Sequence, residues 1–190
     1  MKKYLVIGNP IEHSLSPKLH NYWIKNNNIN AIYEKRKLDE NEIEGLILKV
    51  KEKKLNGINV TVPFKKIVIP YLDRLSLEAE ATQSVNTIYL DKDEVVGHNT
   101  DISGFELGIK SLKFNAKSKK IFILGAGGVV PSIIIALNKM KVSRIVISNR
   151  NKDRAESLKI FFKDLKIVDW GNIPEFDMII NATSVGLNKD

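Results

Sequence analysis

One stretch constrains the fold more than any other. Ile121-Phe122-Ile123-Leu124, a short apolar run, meets Gly125-Ala126-Gly127-Gly128 and then an apolar segment with helical spacing. A strand that passes through glycines into a helix opens a parallel α/β unit, because parallel neighbours need a crossover and a helix usually supplies it. Glycines suit this turn for two reasons: the chain bends sharply, and an anion can then approach bare backbone N–H groups at the positive end of the helix. The context favours a dinucleotide pyrophosphate over a plain strand-to-helix turn, with Gly125, Ala126, Gly127, Gly128 and Val129 as its contacts. The same rhythm continues as a helix over 128–140, a strand over 144–148, a helix over 152–162 and a strand over 177–181, a partial Rossmann layout. The third fingerprint position holds Val130 in place of Gly or Ala, so the pattern is a variant.

The second strand of this unit ends in Ser148-Asn149-Arg150, where an NAD-binding chain normally places an acid for the ribose 2′-hydroxyl. A carboxylate would repel a 2′-phosphate, whereas the guanidinium of Arg150 can meet it with charge-assisted hydrogen bonds. Arg154, one turn into the next helix, is either a second partner or an ordinary exposed residue. The expected cofactor is therefore NADP, with Asn149, Arg150 and Arg154 at its adenosine end.

Upstream, an apolar strand over 4–7 stops at Gly8-Asn9-Pro10, and Ser16, read as an N-cap, precedes Pro17 and the helical stripe Leu19, Tyr22, Trp23. A strand over 32–35 follows. Asp39 with Glu42 makes a capping box for a helix whose Ile43, Leu46, Ile47 and Val50 form one apolar face. Residues 57–62 alternate, with Ile58, Val60 and Val62 on one side and Asn59 and Thr61 on the other. Short helical stretches are expected through 66–81. A hairpin then turns at Asp91-Lys92-Asp93, and Thr100 or Asp101 caps a helix that ends near Leu112. Polar residues 113–118 read as a linker. The fold class is thus α/β, an N-terminal α/β domain over 1–112 followed by a partial Rossmann domain over 119–190.

Composition narrows the function. The 190 residues are 43% apolar and 27% charged, enough for a real core. Without cysteine neither disulfides nor thiolate zinc sites are available. The start lacks a cationic-then-apolar leader, and no apolar run approaches the ~20 residues that cross a bilayer, so a soluble cytoplasmic protein is expected. The net charge of +8 is scattered among acids with no interleaved aromatics, which disfavours nucleic acid as a partner. His13, His20 and His98 lack ligand spacing, so no metal is expected.

Four segments of the first domain are distinctive together: residues 8–17 (GNPIEHSLSP), 59–65 (NVTVPFK), 84–87 (SVNT) and 97–101 (GHNTD). Followed by Gly-Ala-Gly-Gly, Asn149-Arg150 and Asn181-Ala182-Thr183-Ser184, they resemble the shikimate dehydrogenase family over essentially the whole chain. The resemblance implies reversible NADPH-dependent reduction of 3-dehydroshikimate to shikimate. By it, Ser14 and Ser16 hold the substrate carboxylate; Thr61, Asn86 and Asp101 hold its ring hydroxyls; Lys65 handles the proton, with Asp101 orienting its ammonium. Thr183 lies in a loop that approaches the nicotinamide in the family. The family usually carries Gly-Ala where this chain has Gln83-Ser84, read here as a tolerated, surface-level difference. Family members also continue past position 190 with further sheet strands and a helical return. Two alternatives stay open: an NAD-dependent quinate or shikimate dehydrogenase, and a truncated ligand-binding protein of low activity. The expected partner is the small-molecule substrate, and a homodimer is the assembly kept in view.

Overall fold

The first apolar run forms β1 (Lys2–Gly8) in the computed structural model, which describes residues 1–186. It lies parallel to β2 (Ala31–Lys37) and to β3 (Gly57–Val60), with α1 (Ser16–Asn26) and α2 (Ile43–Lys51) as the crossovers. The hairpin β5 (Thr87–Asp91) and β6 (Glu94–His98) joins antiparallel to β3, and a two-residue strand, β4 (Arg74–Leu75), lies parallel on the far edge. The sheet order is β2-β1-β3-β5-β6-β4.

The predicted face of α2 is buried as read: Ile43, Leu46, Ile47 and Val50 pack with Ile7, Ile58, Val60, Ile88 and Val95 in one core. Each such side chain contributes about 1.5–3 kcal/mol relative to exposure. The capping box of Asp39 and Glu42 is present, opening a short 3₁₀ turn that leads into α2.

Two local expectations are corrected. The α1 stripe Leu19, Tyr22, Trp23 is exposed, and no α1 residue is fully buried. This helix docks instead through polar groups: Asn21 Nδ2 donates to Tyr33 O (2.7 Å), Asn21 Oδ1 accepts from Tyr33 N (3.0 Å), and the His20 ring stacks on Tyr33 at 4.1 Å. Because β2 is an edge strand, its outward backbone groups need such partners. Second, Val62 is exposed because β3 ends at Val60; a turn with Phe64 N bonded to Thr61 O (3.0 Å) buries Phe64 instead. The span 66–81 holds the short helical stretches expected, a 3₁₀ turn over Ile69–Tyr71 and a helix from Leu77, and only β4 between them was not foreseen. Arg74 reaches Asp91 and Glu94, both at 2.9 Å, and ties β4 to the hairpin ahead of α3 (Leu77–Thr82).

The compact units divide between Thr100 and Asp101, earlier than the linker read at 113–118. The helix α4 (Asp101–Ser111) belongs with the second unit because it packs along α5 (Val130–Lys139), with Phe105 against the second core. That unit holds four parallel strands, β7 (Lys120–Leu124), β8 (Arg144–Ser148), β9 (Lys166–Val168) and β10 (Met178–Asn181), in the order β10-β7-β8-β9. The helix α6 (Lys152–Glu156) gives way to a 3₁₀ turn, so it is shorter than its apolar spacing suggested, and β9 escaped the sequence reading because it has only three residues.

Candidate functional site

In the second unit β7 is the first strand, with β8 on one side and β10 on the other, so the chain runs outward from β7 through β8 and β9 and then crosses back to the opposite side of β7. Open α/β sheets bind ligands at such a switch point, beyond the carboxyl ends of the strands. The glycine loop and the 182–186 loop both stand there. Gly125 N donates to Ser148 O (2.8 Å), tying the glycine loop to the end of β8, and Ala182 N donates to Leu124 O (2.8 Å), which brings the start of the 182–186 loop against the end of β7.

The glycines have different reasons to be glycine. Gly125 has φ +107°, and a Cβ there would lie 2.8 Å from Ala182 O, so the fold itself requires it. At Gly128 a Cβ would meet nothing within 4 Å, and at Gly127 only Ala182 O at 3.7 Å. Neither has a positive φ, so packing within the chain demands no glycine at either position. What their bare backbone leaves is room for a group approaching from outside, which fits a pyrophosphate. Ala126 is buried below them, Val129 is the N-cap of α5, and Val130 is fully buried, which explains the variant fingerprint: its side chain belongs to the core.

At the end of β8, Asn149 Nδ2 donates to Asn151 O (2.7 Å), and Asn151 Oδ1 accepts from Arg154 N (3.0 Å), capping α6. Arg150 and Arg154 are exposed, and among the described residues neither guanidinium enters an ion pair. Asp169 pairs with Lys152 at 2.6 Å, and this hydrogen bond holds the Lys152 ammonium pKa above its ordinary value. Arg150 and Arg154 thus stand as exposed positive charges, one just past β8 and one in α6. Thr183 is held by Asn181, whose Oδ1 accepts from Thr183 N (3.0 Å) and Oγ1 (2.6 Å), while Thr183 Oγ1 accepts from Val185 N (3.1 Å). The organising roles of Asn151 and Asn181 were missed from sequence, although Asn directly before a helix is a known cap and Asn two residues before a hydroxyl a known turn signal.

The first unit gathers its candidates at one end of its sheet, where β1, β3 and β6 finish and β5 begins. Gly8 allows this: a Cβ there would lie 2.6 Å from Thr61 Cγ2, and Thr61 N donates to Ile7 O (2.9 Å). The following loop carries Ser14 and Ser16, both half-buried. Ser16 is not the N-cap expected; it is the first residue of α1, Leu15 holds the cap position, and Ser14 Oγ accepts from Ser16 N at 3.4 Å. Helix capping therefore does not claim the Ser16 hydroxyl. Buried Phe64 anchors the turn that places half-buried Lys65, whose carbonyl accepts from Val85 N (2.8 Å) next to Asn86. Asp101, half-buried, opens α4 in the second unit.

Asn86 sits in a polar network. Its Oδ1 accepts from Thr87 Oγ1 (2.9 Å) and Thr100 N (3.0 Å), and its Nδ2 donates to Thr100 Oγ1 (2.9 Å). Asn59 Nδ2 donates to Asn86 O and Thr87 Oγ1, both at 3.2 Å, and Tyr33 Oη donates to Asn59 Oδ1 at 2.6 Å. Burial pushes the Tyr33 phenol up to about 12, so it stays a donor.

The Gln83-Ser84 departure is not on the surface. Ser84 is fully buried and its Oγ has no hydrogen-bond partner among the described residues, while Gln83 adopts φ 48°, ψ 44°, the left-handed conformation that glycine favours. Of the histidines, His98 Nδ1 lies 2.7 Å from Ser76 Oγ, His20 stacks on Tyr33, and His13 is exposed. Among the described residues no group of His, Asp and Glu is placed to hold a metal, and no helix is long and apolar enough to cross a membrane.

Two family models match the chain: the shikimate dehydrogenase substrate binding domain over residues 6–88, and shikimate / quinate 5-dehydrogenase over residues 106–187. The NADP(+) shikimate dehydrogenase of Pelagibacter ubique is 57% identical over 189 residues, covering 100% of this chain and 71% of that one. The crystal structure of shikimate dehydrogenase from Aquifex aeolicus superposes with a TM-score of 0.91 at 38% identity, over 100% of this chain and 71% of that one. The shikimate 5-dehydrogenase of Thermus thermophilus, solved with NADP(H) and shikimate, gives 0.89 at 30% identity, over 98% and 70%.

Proposed function

Because the chain belongs to the shikimate dehydrogenase family, we propose that it catalyses the reversible NADPH-dependent reduction of 3-dehydroshikimate to shikimate, a cytoplasmic step toward chorismate and the aromatic amino acids. One observation carries the cofactor half of this reading: Gly127 and Gly128 are bare where the fold does not require it, and beyond them, where β8 ends, stand two guanidinia outside any described ion pair. Gly125, Ala126, Gly127, Gly128 and Val129 hold the pyrophosphate, while Asn149, Arg150 and Arg154 hold the 2′-phosphate end and Thr183 the nicotinamide end. NADPH, when bound, supplies the hydride.

The chain's own residues do the rest. Ser14 and Ser16 bind the carboxylate of the substrate, and Thr61, Asn86 and Asp101 bind its ring oxygens. A ketone that receives hydride becomes an alkoxide, and the Lys65 ammonium gives it a proton; in oxidation the neutral amine removes that proton from the hydroxyl. Asp101 orients the ammonium, so its donor direction is set before reaction. Mixing the protein with shikimate and NADP, then NAD, tests the proposal by reduced-cofactor absorbance. Faster reduction of NADP is expected; a folded protein that reduces neither would refute catalysis.

A further inference from the structure

The network behind Asn86 settles a question that the residue type leaves open. An asparagine side chain can present either its oxygen or its NH₂ to a ligand, and the two ends differ only in what surrounds them. Tyr33 starts the chain of constraints. It is 4% exposed, its ring stacks on that of His20, and its phenol donates to Asn59 Oδ1. Asn59 must then turn Nδ2 toward β5, where it donates to Thr87 Oγ1 and to the Asn86 carbonyl. The reversed amide would set Asn59 Oδ1 against that carbonyl, oxygen to oxygen. With its oxygen accepting from Asn59, the Thr87 hydroxyl has its proton to give, and it gives it to Asn86 Oδ1 at 2.9 Å, where Thr100 N donates as well. Two protein donors thus converge on the Asn86 oxygen, with the Thr100 hydroxyl also 3.3 Å from it, and the NH₂, which gives one proton to Thr100 Oγ1 at 2.9 Å, becomes the donor end of the side chain.

Resting on the reading of Asn86 as a substrate contact, we propose that Tyr33, Asn59 and Thr87 are positioning residues that lock the Asn86 amide so that it meets the substrate as a hydrogen-bond donor. None of the three need touch the substrate. They act through one another, which is why their pattern of effects distinguishes them from residues that only support the fold.

Tyr33→Phe keeps the ring stacked on His20 and removes only the phenol oxygen. In titration calorimetry of the full chain with shikimate, this variant weakens binding about fivefold, the scale of one lost hydrogen bond, with NADP binding unchanged. In an Asn86→Ala background the same substitution gives no further loss, because the orientation it sets no longer exists. Thr87→Val behaves like Tyr33→Phe, and Thr87→Ser restores wild-type binding, so the proposal stays testable even if Tyr33→Phe folds poorly. Shikimate affinity within twofold of wild type in both Tyr33→Phe and Thr87→Val, or a full effect persisting without Asn86, overturns the relay. Asn86→Ala with undiminished affinity overturns the site reading itself, and is distinguishable because it needs no other variant.

Discussion

Ser84→Ala is expected to stabilise the first unit, contrary to the usual result of trimming a buried side chain. Ser84 is 0% exposed and its hydroxyl meets neither donor nor acceptor among the described residues. A buried polar group left unpaired costs about 1–3 kcal/mol. Alanine keeps the Cβ in place and forfeits only the contacts of one atom, on the order of 0.5 kcal/mol. The backbone bonds at this position survive, since Ser84 O accepts from Asn99 Nδ2 (2.8 Å) and Thr82 Oγ1 (3.2 Å) whatever the side chain. The net gain is about 1 kcal/mol, which raises Tm by roughly 4 °C for a unit of about 100 residues. Gln83→Gly makes a useful contrast. Relief of the left-handed backbone, about 1 kcal/mol, is offset by glycine's greater unfolded entropy and by loss of the Gln83 Nε2 bond to Glu80 O (2.8 Å), leaving a near-neutral change. Urea denaturation followed by circular dichroism compares the two variants. A lower midpoint for Ser84→Ala with unchanged slope would show that the hydroxyl is satisfied after all, and the reasoning would be wrong.

Lys65→Ala should collapse turnover while shikimate affinity stays within about tenfold, the mark of an interaction made mainly in the transition state; unchanged kcat removes Lys65 from the mechanism. Arg150→Ala should raise KM for NADPH far more than for NADH, and an equal effect on both cofactors refutes the 2′-phosphate assignment. Gly125→Ala places a Cβ 2.8 Å from Ala182 O at a positive φ and should cost roughly 2 kcal/mol or more of stability, whereas Gly128→Ala should leave stability intact and weaken NADP binding. Equal melting points for the two glycine variants would contradict this division. Burial lowers the His20 pKa below its ordinary 6.5, so the unfolded chain binds the proton more readily than the folded one. Stability is then full above that value and falls as pH drops through it; in His20→Gln the slope near pH 6 should flatten, measured by urea midpoints across pH.

The parallel order of the second unit and the apolar face of α2 were legible because each rests on local periodicity: 121–124 and 144–148 are continuous apolar runs, and Ile43, Leu46, Ile47 and Val50 recur at helical spacing. The choice of NADP rested on residue chemistry at a strand end, and the relatives that match bear it out. Among the readings that failed, three show where local pattern does not decide. Leu19, Tyr22 and Trp23 have the spacing of a buried stripe, yet α1 turns His20 and Asn21 to β2, because only the folded sheet shows that β2 is an edge whose backbone needs partners. Val62 kept the alternation of β3 but fell beyond its last paired residue. Ser84 looked like a surface neighbour of Gln83, and its burial follows from the long-range packing of α3 against β6. The donor sense of Asn86 lay out of reach of any local pattern: Asn59 is 27 positions upstream of Asn86 and Tyr33 a further 26 upstream of Asn59, a span that no window along the chain contains. Sequence alone determined the longer elements and the residue types of the site, since propensity, periodicity and charge are local properties. Tertiary structure alone decided which way the helix faces, which polar groups go unpaired and how an amide points, since those are set by partners distant in the chain.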